Sequence, residues 1–367
     1  MQPLAIILVL LLNACVLADA RLDTIHDSLA RATKFLASKQ DKDGAWRSGV
    51  HGSFKDGESL TPLVMTSLFF LQAYDPAGQE AFSRGDAYLF PKGRREEPRA
   101  MSFPLYTHTM YVWLAAMTKS DPDRRIYIDW HLERLRKLQL NEAHGWSRND
   151  PDFGGWGYHH HPVKPDPQKP TASPWGTPES NISATVFAIG ALKLARIAPD
   201  DLAWRDAKVY VERCQNPDGG FVFNPHDAAT NKPGADDQGR LHSYGSATAD
   251  GLRSLIQCGE PIDTARLRAA RTWLIEHFDA TKNPGDFNDD RKSLAIATKF
   301  YWLWSASHAM TRANVTEIDW RTPIIDELLK LQQPDGSWKN PLSDGREDDP
   351  LVATSFATAA MLVCMSP

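Results

Sequence analysis

The sequence predicts an all-α protein, a six-hairpin α/α barrel in which pairs of helices close into a toroid. Three observations predict it. The frame Gln-x-x-Asp-Gly-x-aromatic occurs at Gln40 to Trp46, Gln215 to Phe221 and Gln332 to Trp338, and a turn repeated at intervals marks an internal repeat. Apolar residues recur at helical spacing almost throughout, and no alternating strand pattern competes. Amphipathic helices that end in the repeated turn alternate with helices that are apolar nearly all round, which must be buried on most sides.

The first twenty residues read as an address. Leu4 to Leu12 is an apolar run of signal-peptide length, and Ala18-Asp19-Ala20 fits a small-x-small cleavage site before Arg21. The expectation is a signal peptide over 1–20, one toroid domain over 21–367, and a secreted or periplasmic protein. No later stretch is long and apolar enough to span a membrane.

From Arg21 the amphipathic helices are expected at 22–40, 124–139, 201–215, 262–278 and 321–332, with a weaker one at 78–90. The apolar helices are expected at 61–74, 103–117, 180–197, 245–257, 293–309 and 350–365. Each carries a Thr at an equivalent place: Thr66, Thr109, Thr185, Thr248, Thr298 and Thr354. Six inner and six outer helices hide each pair's apolar face against its neighbours. Pro and Gly mark the connecting loops, roughly 91–102, 141–179, 222–243 and 279–291, and long loops in a compact domain are usually functional or poorly ordered.

A net charge of −5 over 367 residues leaves no footprint for nucleic acid. After the expected cleavage, which removes Cys15, three cysteines remain, Cys214, Cys258 and Cys364, far apart and odd in number. They frame no disulfide scaffold or metal site, and buried thiols are the reading.

The frame Arg31-Ala32-x-x-Phe35-Leu36-x-x-x-Gln40-x-x-x-Gly44-x-Trp46 resembles the QW motif of squalene cyclases, within the prenyltransferase/squalene oxidase repeat family. Tyr210 to Phe221 and Leu328 to Trp338 resemble it well. Leu135-x3-Gln139 with Gly145-Trp146 is a degenerate copy, and Trp273-Leu274-x3-Phe278 lacks the Gln. Ser243 to Leu252 and Val352 to Ala357 resemble single-toroid bacterial members. The resemblance implies a terpenoid cyclase/protein prenyltransferase-like toroid. The Gln amide is expected to bridge the carbonyls at the end of an outer helix to the following turn, with the ring packed over the Gly. The motif is a structural staple.

The catalytic signatures of such families do not accompany it. There is no Asp-x-Asp-Asp motif; the runs Asp286 to Asp290 and Asp344 to Asp349 differ in spacing or residue type, and helix capping is the competing reading for both. No Asp-x-Cys zinc pair is present, and Cys258-Gly259-Glu260-Pro261 lacks the Gln a thioester needs. No cofactor or metal is expected. His159-His160-His161 belongs to a loop, since successive residues rarely all face one ion.

Two positions after the aligned Thr, five inner helices carry Leu68, Tyr111, Phe187, Phe300 and Phe356, and the other carries Asp250. A carboxylate in an aromatic place is costly unless paired or in a wet cavity. Asp250 is therefore the candidate acid or base, against an ion pair with Arg253. Tyr106, His108 and Tyr244 stand near starts of inner helices and are the candidates to join it, since Tyr, His and carboxylate suit proton transfer; a core His is otherwise a hydrogen-bonded structural group. Tyr111, Trp113, Tyr301, Trp302 and Trp304 offer cation–π surface or plain core. Three functions remain open: an enzyme handling an isoprenoid or other small hydrophobic ligand in the axis, a polysaccharide lyase or hydrolase binding a saccharide there, and a non-catalytic binding or scaffold toroid.

Overall fold

Helix-forming runs broken by Asp-Gly turns and Pro leave this chain one regular structure to adopt. The computed structural model describes residues 3–91, 101–118, 124–158, 160–166, 168 and 178–366, with the backbone alone for 3–20. Among the described residues there are thirteen α-helices and no strand, only isolated bridges such as Gln215 with Phe221. The outer helices are α1 (Pro3–Ser38), α3 (Pro76–Leu89), α5 (Arg124–Lys137), α7 (Leu202–Arg213), α9 (Ala265–Glu276) and α12 (Arg321–Leu331). The inner ones are α2 (Thr61–Leu71), α4 (Pro104–Met117), α6 (Ile182–Leu194), α8 (Gly245–Gln257), α11 (Lys299–Arg312) and α13 (Pro350–Met365), with the short α10 (Lys292–Ala297) leading into α11. Inner helices pack in the order α2, α4, α6, α8, α11, α13 and back to α2, so the ring closes. The weak 78–90 helix is α3, which completes the six hairpins.

α1 is one helix through Arg21, the expected cleavage point. No helix among the described residues is long and apolar enough to cross a membrane.

The repeated turn is a tie between neighbouring hairpins. The Gln40 amide donates to its own turn at Gly44 O (2.8 Å) and to Ala81 O of α3 (2.9 Å). Gln215 reaches Gly219 O and Arg266 O of α9, and Gln332 reaches Gly336 O and Ser28 O of α1. The bridge thus runs from a turn to the next outer helix, where the sequence reading had it link the turn to its own helix. Gln332 with Ser28 is one of the contacts that join the last hairpin to the first, beside Arg21 with Asp326. At Gly336, φ is +90° and an added Cβ would sit 2.5 Å from Arg31 O, so only Gly fits. The ring caps its own outer helix: the indole N–H of Trp46 and of Trp338 donates to Leu36 O and Leu328 O.

The degenerate copy is re-registered. Gln139 pairs with Gly154 O and Ala203 O, and Trp156, not Trp146, donates its indole N–H to Leu135 O. An insertion over 141–153 separates Gln139 from its Gly-x-Trp, and Trp146 packs with Leu140 and Phe153 in a small satellite core. Two seams lack the Gln, and arginines tie them. Arg124 of α5 pairs with Asp86 of α3 and lies over Phe90, while Arg271 of α9 holds Glu317 and Ala313 O ahead of α12.

The Thr alignment is corrected in the same way. The backbone N–H of Trp46, Trp156, Phe221 and Trp338 donates to Oγ1 of Thr61, Thr185, Thr248 and Thr354. Thr61 therefore takes the place given to Thr66. Thr109 has no such bond, and Thr298 accepts from Asn283 instead.

The carboxylate runs cap helices or lie in solvent. Glu347 is fully buried and accepts the N–H groups of Phe300 and Tyr301 at the start of α11, and Asp349 caps α13 at Leu351 N. Asp286 and Asp289 are exposed. Cys214, Cys258 and Cys364 are free thiols, pushed up to about 12 by burial.

Candidate functional site

The inner helices all start at the end of the barrel that carries the repeated turns. Their inward faces follow from helical spacing: Leu63, Thr66 and Phe70 on α2; Tyr106, Trp113 and Met117 on α4; Ser183, Phe187, Gly190 and Leu194 on α6; Asp250, Arg253 and Gln257 on α8; Tyr301, Trp304, Ser305, His308 and Arg312 on α11; Phe356, Ala359 and Val363 on α13. Most of these keep some solvent-accessible surface although they lie in the inner ring. Partial exposure on the inward face means that solvent reaches the axis. Tyr111 and Phe300 do not belong to this face. Tyr111 stacks on His131 of α5 and donates to Glu58, and Tyr301 takes the inward place on α11.

Asp250 sits at this turn-bearing mouth, five residues into α8, and is 1% exposed. Tyr301 Oη donates to its Oδ2 (2.8 Å) and Ser305 Oγ to its Oδ1 (2.5 Å). Arg253, one turn on, brings a guanidinium nitrogen to 3.5 Å. The ion pair with Arg253 and a place on the axis are both present. Burial pushes the Asp250 carboxyl up to about 6, against the pull of Arg253, the two hydroxyls and the Lys232 charge.

A chain of hydroxyls leads outward from it. Tyr301 Oη lies 3.1 Å from Ser183 Oγ, Ser183 lies 3.2 Å from Tyr106 Oη, and Tyr106 lies 3.4 Å from Tyr158 Oη. Burial raises all three tyrosines above their ordinary range, so they are neutral donors at pH 7. Tyr244 caps the start of α8, buried, and its hydroxyl feels the Asp250 charge. Lys232 reaches in from the loop before α8. Its ammonium stands 4.5 Å from the Phe223 ring and 5.6 Å from that of Tyr244.

Deeper in, the lining is aromatic. Trp113 stacks on Phe187 at 5.2 Å, Phe187 meets Trp304 at 5.2 Å, and Trp304 meets Phe356 at 5.5 Å. Arg253 lies 4.6 Å over the Trp304 ring. At the far end Phe70 is 52% and Leu194 44% exposed, with His308 and Arg312 beside them on the α11 face.

Of the four candidates, Tyr106 and Asp250 belong to one hydrogen-bonded network and Tyr244 borders it. His108 does not. Its Nδ1 lies 2.9 Å from Nδ1 of His131 on α5, and burial lowers it to about 3. It is a neutral packing group between an inner and an outer helix. Residues beyond the candidates complete the network: Ser183, Ser305, Arg253, Tyr301 and Tyr158; Lys232 stands outside it, over the rings of Phe223 and Tyr244. His159 lies outside the described residues, and among those described no His, Cys, Asp and Glu cluster could hold a metal. A separate open cleft of about 1080 Å³ lies between the loops around 216–243 and 273–286 and touches none of the axial residues. Its exposed carboxylate Asp218 is already engaged by Ser243 and Trp273.

No family model matches the chain, and no curated protein matches it in sequence. Solved structures do. The type II terpene cyclase MstE from Scytonema, in complex with merosterolic acid A as product, is 15% identical over 94% of this chain and 98% of its own, with a TM-score of 0.58. An unsaturated glucuronyl hydrolase specific for heparin is 12% identical over 93% of this chain and 96% of its own, at 0.57. Cellobiose 2-epimerase from Bacillus thermoamylovorans is 10% identical over 93% and 99%, at 0.56. At such identities the likeness establishes the α/α toroid fold alone.

Proposed function

We propose that this protein is an acid–base enzyme acting on a hydrophobic, isoprenoid-like substrate held along the barrel axis, with Asp250 as the titrating group. The observation that supports it most is that buried carboxyl on the inward face, hydrogen-bonded to Tyr301, whose ring meets Trp304 and Phe356 of the aromatic lining. In this reading the protonated carboxyl adds its proton to an alkene carbon. The carboxylate left behind keeps the hydrogen bonds of Tyr301 and Ser305 and the charge of Arg253, all of which favour the anion. The cation formed lies against aromatic faces, each worth about 2 kcal/mol where water is excluded. A basic atom must later take the proton back; the hydroxyl chain through Ser183, Tyr106 and Tyr158 offers a route outward.

That same hydroxyl chain favours a second reading. Tyrosines and a carboxylate at an open mouth suit a saccharide, with Asp250 acting as a base. The deciding measurement is turnover on a panel of isoprenoids and acidic polysaccharides, with Asp250→Asn as control. Product from isoprenoids that disappears in the variant supports the first reading, and product from polysaccharides alone replaces it with the second. Export, expected from the N-terminal pattern, is part of the proposal; a protein retained in the cytoplasm with residues 1–20 still attached would count against it.

A further inference from the structure

The axis carries more positive charge than its acid can balance. Asp250 is matched by Arg253. Lys232 and Arg312 add two further cations along the same channel, and among the described residues no second acid on the inward face answers them. Glu347, whose charge Lys232 also feels, is fully buried behind the start of α11, where burial pushes it up to about 8. This occurs in a chain whose overall charge is −5, so the local excess is a property of the site.

Lys232 is the group at the mouth. Its ammonium rests on the faces of Phe223 and Tyr244 and forms no hydrogen bond or ion pair among the described residues. Removal from water lowers it to about 8, with Asp250 and Glu347 opposing. Two cation–π contacts return only part of the lost hydration of an ammonium. An unanswered cation facing a cavity is a recognition group for an anion.

The axis is also graded. Tyr158, Lys232, Tyr106 and Ser183 surround the mouth. Aromatic rings follow, then Met117, Phe70 and Leu194 at the far end. From Tyr106 to Met117 along α4 this spans roughly 17 Å at 1.5 Å per residue. We infer that the ligand is an amphiphile, with an apolar chain along the axis and an anionic carboxylate or phosphate head bound by Lys232 at the mouth. This rests on the hydrophobic-ligand reading and specifies it.

The test is calorimetric titration of the full chain with farnesol, farnesoic acid and farnesyl phosphate. Both acids are expected to bind at least tenfold more tightly than the alcohol. Lys232→Met should bring the acids to the alcohol's affinity while farnesol binding stays as it was, which also shows that the variant is folded. Lys232→Arg should keep the preference. The tighter of the two acids identifies the head group. Acids that bind no better than farnesol, or a preference that survives Lys232→Met, overturn the inference and leave the hydrophobic reading standing. Failure of all three to bind removes both.

Discussion

Asp250 makes a prediction that separates its two chemical roles and can be read without knowing the substrate. Its carboxyl is raised from 3.8 to about 6, chiefly by burial. The folded protein therefore holds a proton between about pH 4 and 6 that the unfolded chain has released. In that window the unfolded state binds fewer protons than the folded one, so stability falls as pH rises. A rise of about two pKa units at roughly 1.4 kcal/mol each amounts to about 3 kcal/mol lost by pH 7. The site is fully buried, so solvent screening takes little from this figure. Asp250→Asn removes the titration while keeping the shape. About 1 kcal/mol of this is already lost by pH 4.5, so urea unfolding of both proteins at pH 4.5 and pH 7 should show the wild type losing about 2 kcal/mol more than the variant. The unpaired Arg253 of the variant costs the same at both pH values and cancels in the difference. Once a substrate is known, the same group governs rate. As a proton donor it makes kcat/KM fall about tenfold per pH unit above 6; as a base it makes kcat/KM rise up to 6 and level off. Identical pH dependence of stability in wild type and variant would refute the reasoning, because it would mean that Asp250 does not titrate between these values.

Other expectations concern the scaffold. Gly336→Ala combines a φ of +90° with a Cβ 2.5 Å from Arg31 O, so unfolding free energy should fall by more than about 2 kcal/mol; Gly239→Ala, at φ +77° with open space around it, should cost only the left-handed penalty of about 1 kcal/mol. Gln332→Ala cuts the hydrogen bond to Ser28 O that joins the last hairpin to the first, together with the bond to its own turn at Gly336 O, and should lower stability by about 1–3 kcal/mol, measured by urea denaturation. Glu347→Ala strips the buried N–H groups of Phe300 and Tyr301 of their acceptor, and a loss of about 2 kcal/mol with faster amide exchange at the start of α11 is expected.

The barrel was legible because Gln, Gly and an aromatic ring each do a job that few other residues can do, at fixed spacing. Where spacing failed, reading failed with it. Gln139 was joined to Gly145 and Trp146 because the insertion over 141–153 displaces its true partners to Gly154 and Trp156. Thr66 was preferred to Thr61 because an apolar helix has no polar face to set its register, and helix register decided which residues faced inward. Asp250 was found because it sits in the same register as Phe187 and Phe356. Tyr111 was misassigned, and Tyr301 was read only as aromatic surface and not as the partner of Asp250, for want of the same anchor. His108 is explained by His131, which stands on the apolar side of α5 with Leu132 and Leu135 and buries its ring there. Ser183, Ser305 and Lys232 carried no sequence signal. Small hydroxyls are common on close-packed helices, and a loop lysine gains meaning only from where the loop folds.

The placement of the ties accounts for the freedom of the interior. Each Gln amide joins a turn to a carbonyl of the next outer helix, and the two seams without a Gln are held by Arg124 and Arg271. Closure of the ring is thus fixed at the periphery, by backbone carbonyls and by the Asp86 and Glu317 carboxylates, and it does not depend on which side chains face the axis. Helix backbones approach closely through small residues on the sides of the inner helices, as where Ser67 donates to Ser355 O between α2 and α13. The inward positions are left with no structural task that only one residue type can do. An inward carboxylate with an Arg one turn away, a Tyr and a Ser on the neighbouring helix, and a loop lysine above it is then hard to assign to the scaffold. It costs burial of charge that an aromatic residue at position 250 would avoid. Replacing Asp250 and Arg253 together by Phe and Met is expected to leave the toroid folded and at least as stable at pH 7, by thermal unfolding, while abolishing any activity. A double variant that fails to fold would assign this cluster to the scaffold.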